Sequence, residues 1–168
     1  MKFDTRRLTF LGLGVALAMI LSYVEFLLPP IWSAVPGIKI GLPNIIILYL
    51  FFKSGTADAA LVSLVRLLLS ALLFGSVLTL LYSFFGALLS FAVMLVLKKS
   101  NLFSVVGISI AGGVFHNLGQ ILVAMVVLRT AEIGYYMIIL TVTGILAGLF
   151  VGIIGALMIK HVDVKKYR

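Results

Sequence analysis

No cysteine occurs in the chain, which excludes disulfides, thiolate metal sites and cysteine nucleophiles together. Carboxylates are nearly as scarce. Asp4, Glu25, Asp58, Glu132 and Asp163 are the whole acidic complement of 168 residues, and they lie far apart in sequence. Histidine is limited to His116 and His161. No second histidine or carboxylate stands at metal-ligand spacing from His116, which argues against a metal site. His116 is also the one histidine within an apolar segment, too few for a two-histidine haem. The run G-x-x-x-x-G-K-[ST] is absent, so the chain holds no nucleotide-hydrolysing P-loop of its own. Charge of any kind is sparse: 11% of residues, where a soluble domain carries about a quarter. A chain so poor in charge does not stay in solution alone.

What fills it instead is hydrocarbon. Hydrophobic residues make up 63% of the sequence, and the mean hydropathy is +1.29. Apolar segments cover nearly everything from Leu8 to Lys160, leaving no room for a separate soluble domain. The expected architecture is all-α: six membrane spans in a single domain over residues 1–168. A span needs about 20 apolar residues, and the candidates are 8–28, 41–52, 57–74, 77–97, 102–128 and 135–159. Arg6-Arg7 ahead of the first run resembles a signal sequence. The run outlasts an h-region, however, and is read as a retained helix. Pro29-Pro30 stop that helix. The second span is short, so part of the preceding stretch 37–44 is expected to dip into the membrane. No internal repeat is apparent, which argues against an inverted-repeat transporter.

The net charge of +8 resembles a nucleic-acid signal, but in a membrane chain it reports topology. With the N-terminus inside, the inner side holds Lys2, Arg6, Arg7, Lys53, Lys98, Lys99, Lys160, Lys165, Lys166 and Arg168, and the outer side holds Lys39 and Arg129. That asymmetry predicts cytoplasmic termini. Small residues mark close helix packing. Gly144, Gly148 and Gly152 recur at four-residue spacing, and Gly12, Gly14, Ala16 and Ala18 form small-residue rows on the first helix. The Gly144 row is expected to pack within the chain. The first helix is the better candidate for docking another membrane subunit.

Polar residues inside the spans are the functional signal, because an ionisable group in hydrocarbon is costly. Arg66 sits mid-span, with Ser63 and Ser70 on its face of the helix. Burying its charge costs at least about 2.5–3.5 kcal/mol. It requires either a carboxylate, of which only Glu25 lies at useful depth, or the anionic group of a ligand. His116, Asn117 and Gln120 share one face with Gly113. Thr79, Tyr82, Ser83, Gly86 and Ser90 form a stripe on the fourth span, and Asn44 opens the second. In the inward topology Glu25, Asn44, Tyr82, Ser83 and Gln120 fall in the outer half, with Arg66, His116 and Asn117 near the middle. The expected site is one polar pocket, entered from outside and floored near mid-membrane. For any single serine, threonine or tyrosine, helix–helix hydrogen bonding is the plainer reading.

The segments PGIKIGLPNIIIL, VRLLLSALLFG, LYSFFGALLSFAVM and SIAGGVFHNLGQILVA resemble the signature blocks of the Gx transporter family, also known as heptaprenyl diphosphate synthase component I. Pro43 departs from the small residue expected at its place in that pattern. The family is similar to the substrate-binding subunits of energy-coupling factor transporters. That resemblance implies six helices, cytoplasmic termini, a prokaryotic cytoplasmic membrane and an outward-facing pocket for a vitamin-like or isoprenoid-precursor molecule. It also implies partners, a shared membrane subunit and two ATPases, with Gly12, Gly14, Ala16 and Ala18 as the docking face. The enzyme name conflicts with the residues. Prenyl diphosphate synthases hold Mg²⁺ with aspartate-rich motifs, and the three aspartates here are isolated. No cofactor and no nucleic acid are expected. Two alternatives stand beside a solute-binding subunit. One is a non-transporting module of quinone biosynthesis or flavin-based electron transfer, partnered by quinone or flavin proteins. The other is a ligand-free scaffold in which Arg66 pairs with Glu25 and no cavity exists.

Overall fold

A computed structural model describes residues 5–28 and 40–162, and every regular element among them is helical. They are α1 (Thr5–Leu27), α2 (Asn44–Lys53), α3 (Thr56–Phe74), α4 (Val77–Ser100), α5 (Val105–Leu128), a 3₁₀ turn over Glu132–Tyr136, and α6 (Met137–His161). Five of these helices are long and apolar enough to cross a membrane: α1, α3, α4, α5 and α6, the last counted with the 3₁₀ turn before it. Large apolar side chains cover the outside, among them Leu72 at 82% exposure, Val126 at 77% and Ile138 at 75%. Water does not tolerate so extensive an apolar surface on a monomer. The chain is a multi-pass membrane protein. Pro29, Pro30, Pro36, Lys39 and the first part of the stretch expected to dip into the membrane, 37–39, lie outside the described residues.

The helices close into a ring in which α1 packs on α3, α3 on α4, α4 on α5, α5 on α6, α6 on α2, and α2 on both α3 and α1. Helix α2 has 10 residues, about 15 Å at 1.5 Å each, and reaches only about half way across a hydrocarbon core. Its sequence NIIILYLFFK is apolar on every face, the pattern of a helix surrounded by protein. Ile45 through Phe51 are all buried accordingly. The second segment starts as a helix at Asn44 rather than at 41 because Gly41 holds a left-handed φ of 81°. Pro43, at φ −63°, then leads in with a preset dihedral and no N–H to satisfy.

The seam between α5 and α6 is built on the glycines read from the sequence. A Cβ on Gly148 would stand 2.6 Å from the Ile110 Cα, and one on Gly152 3.0 Å from the Val106 Cα. The backbones touch because no side chain intervenes. Asn117 Nδ2 donates across the same seam to the Leu140 carbonyl at 2.7 Å. On α1 the small residues divide. Gly14 and Ala18 are buried, Gly14 facing Leu50 and Val62. Gly12 and Ala16 are exposed, with nothing within 4 Å of a Cβ on Gly12. The four residues expected to form one docking face thus lie on two sides of α1. At 100° per residue, positions two apart point nearly opposite ways, so Gly14 and Ala18 serve internal packing.

Polar links gather the helix ends. Asp58, buried in the first turn of α3, accepts from Arg7 of α1 and from the Ser54 hydroxyl, and an acid at a helix N-terminus also suits the dipole. Lys98 donates to the Phe51 carbonyl in the last turn of α2 and lies over the Phe51 and Phe52 rings, 4.5 and 4.9 Å from their centroids. The start of α1, the end of α2, the start of α3 and the end of α4 thus share one end of the bundle, and the Tyr49 hydroxyl donates there to the Val162 carbonyl after α6.

Candidate functional site: a polar cavity inside the helix ring

A cavity of about 320 Å³ occupies the centre of the ring, with lining residues from all six helices. That volume is at the low end of the roughly 300–1,000 Å³ typical of ligand pockets. On α3 the lining follows one helical face, Ser63, Arg66, Leu67, Ser70, Ala71 and Phe74, the three-and-four spacing of neighbours on a helix. On α4 the face runs from Thr79 through Ser83, Ala87 and Ser90 to Met94. Fifteen residues separate Thr79 from Met94, so the cavity extends about 22 Å along α4.

Of the residues expected from sequence to bind a ligand, Glu25, Asn44, Arg66, Ser83, His116, Asn117 and Gln120 all line this cavity. Tyr82 is not among the lining residues. It shares a flank of α4 with Gly86, one turn on, whose backbone packs on His116 and Gln120 of α5, and the cavity face belongs to Ser83. The cavity also continues past Arg66 and His116 to Ser63, Ser90, Met94 and Ser109, so its polar lining extends beyond the level of those two residues. Ser63, Ser90 and Ser109 are buried polar residues at 4%, 9% and 5% exposure. Ser63 was visible as a face-mate of Arg66, and Ser90 as part of the α4 stripe. Ser22 and Ser109, single serines in apolar helices, carried no signal of their own.

Two of these polar groups have no hydrogen-bond partner among the described residues. Arg66 Nε and the Ser22 hydroxyl are buried without a hydrogen bond. Glu25 does not pair with Arg66; the ion pair among the described residues is Arg7–Asp58. Instead Glu25 Oε1 accepts from the backbone N–H of Gly41 and, at 3.4 Å, from that of Leu42. The carboxylate anchors the turn that leads into α2, where a negative charge also suits the helix N-terminus. Against the sequence-based scaffold reading, a cavity is present, and Glu25 and Arg66 interact only at longer range, without a salt bridge. The arrangement offers a guanidinium, several hydroxyls and three amides facing the cavity, with one carboxylate already engaged by the backbone. Such groups can hold a molecule by hydrogen bonds and charge. Among the described residues no three His, Asp or Glu side chains come together to hold a metal.

No curated protein and no solved structure matches the chain significantly. The family model described as heptaprenyl diphosphate synthase component I matches residues 15–158, which takes in all the cavity-lining residues. The family name is that of a synthase component, while this member is a bundle of membrane helices. By that match the chain belongs to the heptaprenyl diphosphate synthase component I family, the Gx transporter-like proteins of the earlier resemblance.

Proposed function

We propose that this protein is the small-molecule-binding subunit of a membrane uptake system, and that the central cavity is its binding site. The observation that carries the reading is Arg66, whose Nε is buried and unpartnered in a cavity to which every helix contributes. A charge held at that depth with no salt bridge among the described residues is the mark of a site completed by a ligand. In this reading α2 counts as a short sixth span. The end bearing Arg7, Lys53 and Lys98 is cytoplasmic, as expected where Lys and Arg collect. Glu25, Asn44 and the mouth of the cavity then face outward, in a prokaryotic cell membrane. The ATP-hydrolysing energy comes from partner subunits, because the chain has no P-loop. The protein is not the prenyl-transferring catalyst, since its three aspartates are dispersed and the metal-neutralised diphosphate chemistry needs them clustered.

Native mass spectrometry on protein released from mild detergent tests the binding role. A discrete small-molecule adduct on the wild type, lost from Arg66→Ala, is the expected result. Uptake in cells should then require the partner ATPases. An adduct of prenylated-quinone mass with uptake independent of ATPases would replace this reading with a quinone-handling module.

A further inference from the structure

We infer that the ligand of this cavity is an elongated molecule with a single negative charge, its anionic head at Arg66 above the serine floor and a ring-bearing body directed toward Phe26 and Phe74. The inference deepens the binding role proposed above and rests on it. The first argument is donor balance. Arg66 is a donor only, its Nε has no partner, and its guanidinium pairs with no carboxylate among the described residues. The Ser22 hydroxyl is likewise buried and unpartnered, and Ser63, one turn below Arg66, lines the same space. Glu25, the cavity's carboxylate, is turned to the N–H groups of Gly41 and Leu42. The missing partner is therefore an acceptor. A carboxylate or phosphodiester-type oxygen pair meets the guanidinium fork with the strongest geometry available. Glu25 acts on the guanidinium at longer range but forms no salt bridge with it, so the fork takes one anionic group, and a second would be buried without compensation.

The second argument is shape. Arg66, Ser70 and Phe74 follow one another at four-residue spacing along the cavity face of α3, which sets Phe74 about 12 Å above Arg66. The Phe26 ring lies against Phe74 with centroids 5.2 Å apart, and both rings line the cavity. Between the charge and the rings the wall includes Leu67 and Ala71. The cavity also carries Glu25 beside Phe26, Ser70 between Arg66 and Phe74, and Asn44, Thr79, Ser83 and Gln120, so the section above the charge is mixed and describes a ring-bearing acid with polar groups along its body.

The test begins with the wild-type protein, purified in mild detergent and extracted with organic solvent, the extract being read by mass spectrometry in both ion modes. The expected compound ionises in negative mode with one acidic group. Its occupancy falls at least about tenfold in Arg66→Gln and is partly kept in Arg66→Lys, which retains charge without the fork. A bound compound that is neutral or cationic overturns this inference and leaves the binding role standing. If the wild type arrives empty, 3-phenylpropionate and its neutral isostere 3-phenylpropionamide serve as probes in a thermal shift assay. The carboxylate is expected to raise the wild-type melting temperature clearly more than the amide does, a difference absent in Arg66→Gln. Equal shifts overturn the charge assignment, and no shift with either probe overturns the binding role as well. The wild-type readings stand even if a variant fails to fold.

Discussion

At the residue scale the polar groups inside this bundle divide into those that hold helices together and those left open to the cavity. Asn117 belongs to both sets. Its amide lines the cavity and donates to the Leu140 carbonyl, an oxygen that also accepts from the Thr143 hydroxyl at 3.1 Å. Removing the amide orphans nothing, so Asn117→Ala should cost near the average for a membrane hydrogen bond, about 0.6 kcal/mol, by equilibrium unfolding in detergent. Gly86 should behave very differently. A Cβ there would stand 2.7 Å from the His116 carbonyl and 2.9 Å from the Gln120 Cγ. Gly86→Ala should destabilise by roughly 1–3 kcal/mol through overpacking and should lower ligand occupancy by moving two wall residues. Unchanged stability in Gly86→Ala would mean that α4 and α5 are not in backbone contact. Much of this wall was readable in advance. Arg66, Gln120 and the HN pair are conspicuous in hydrocarbon because polar groups there need a reason. Serines such as Ser22 and Ser109 were not readable, since a hydroxyl on a membrane helix commonly bonds to its own backbone.

At the element scale, glycine position separates packing from lipid exposure. Gly148 abuts α5 backbone, whereas Gly12 has nothing near it. Substituting alanine at Gly148 should lower the melting temperature by several degrees, and the same change at Gly12 should leave it unaltered. Parallel thermal scans of the two variants check both. The helices themselves were plain from hydropathy, but their ends were not. The fourth span was expected to stop at 97, where the apolar run meets Lys98-Lys99. The backbone ladder instead continues to Ser100 and ends at Asn101 in the left-handed conformation. Lysines extend a helix past its apolar stretch because their long stems let the charge leave the hydrocarbon. Helix α2 was anticipated as short, yet nothing local in the sequence said that Glu25 would hold its entry turn rather than meet Arg66. That outcome depends on where α1 places the carboxylate in three dimensions.

For the whole molecule, the absence of cysteine makes orientation directly measurable. Single substitutions Ser100→Cys and Ala131→Cys place one thiol near each end of the bundle without competition. In intact cells a membrane-impermeant maleimide should label Ala131→Cys and spare Ser100→Cys until the membrane is opened. The reverse pattern would invert the topology and turn the cavity mouth toward the cytoplasm.

The shortness of α2 has a further consequence for how the protein is made. A helix of about 15 Å does not satisfy a bilayer as a span, and its ring neighbours α3 and α6 come later in the chain. During synthesis α2 therefore waits without its full surroundings until the last helix has been inserted. Completion of the bundle is an assembly step in which α6 arrives and seals α2 in place. Chains truncated before α6 should present α2 to quality-control proteases, so loss of the final helix is expected to shorten cellular lifetime far more than loss of the seven residues that follow it.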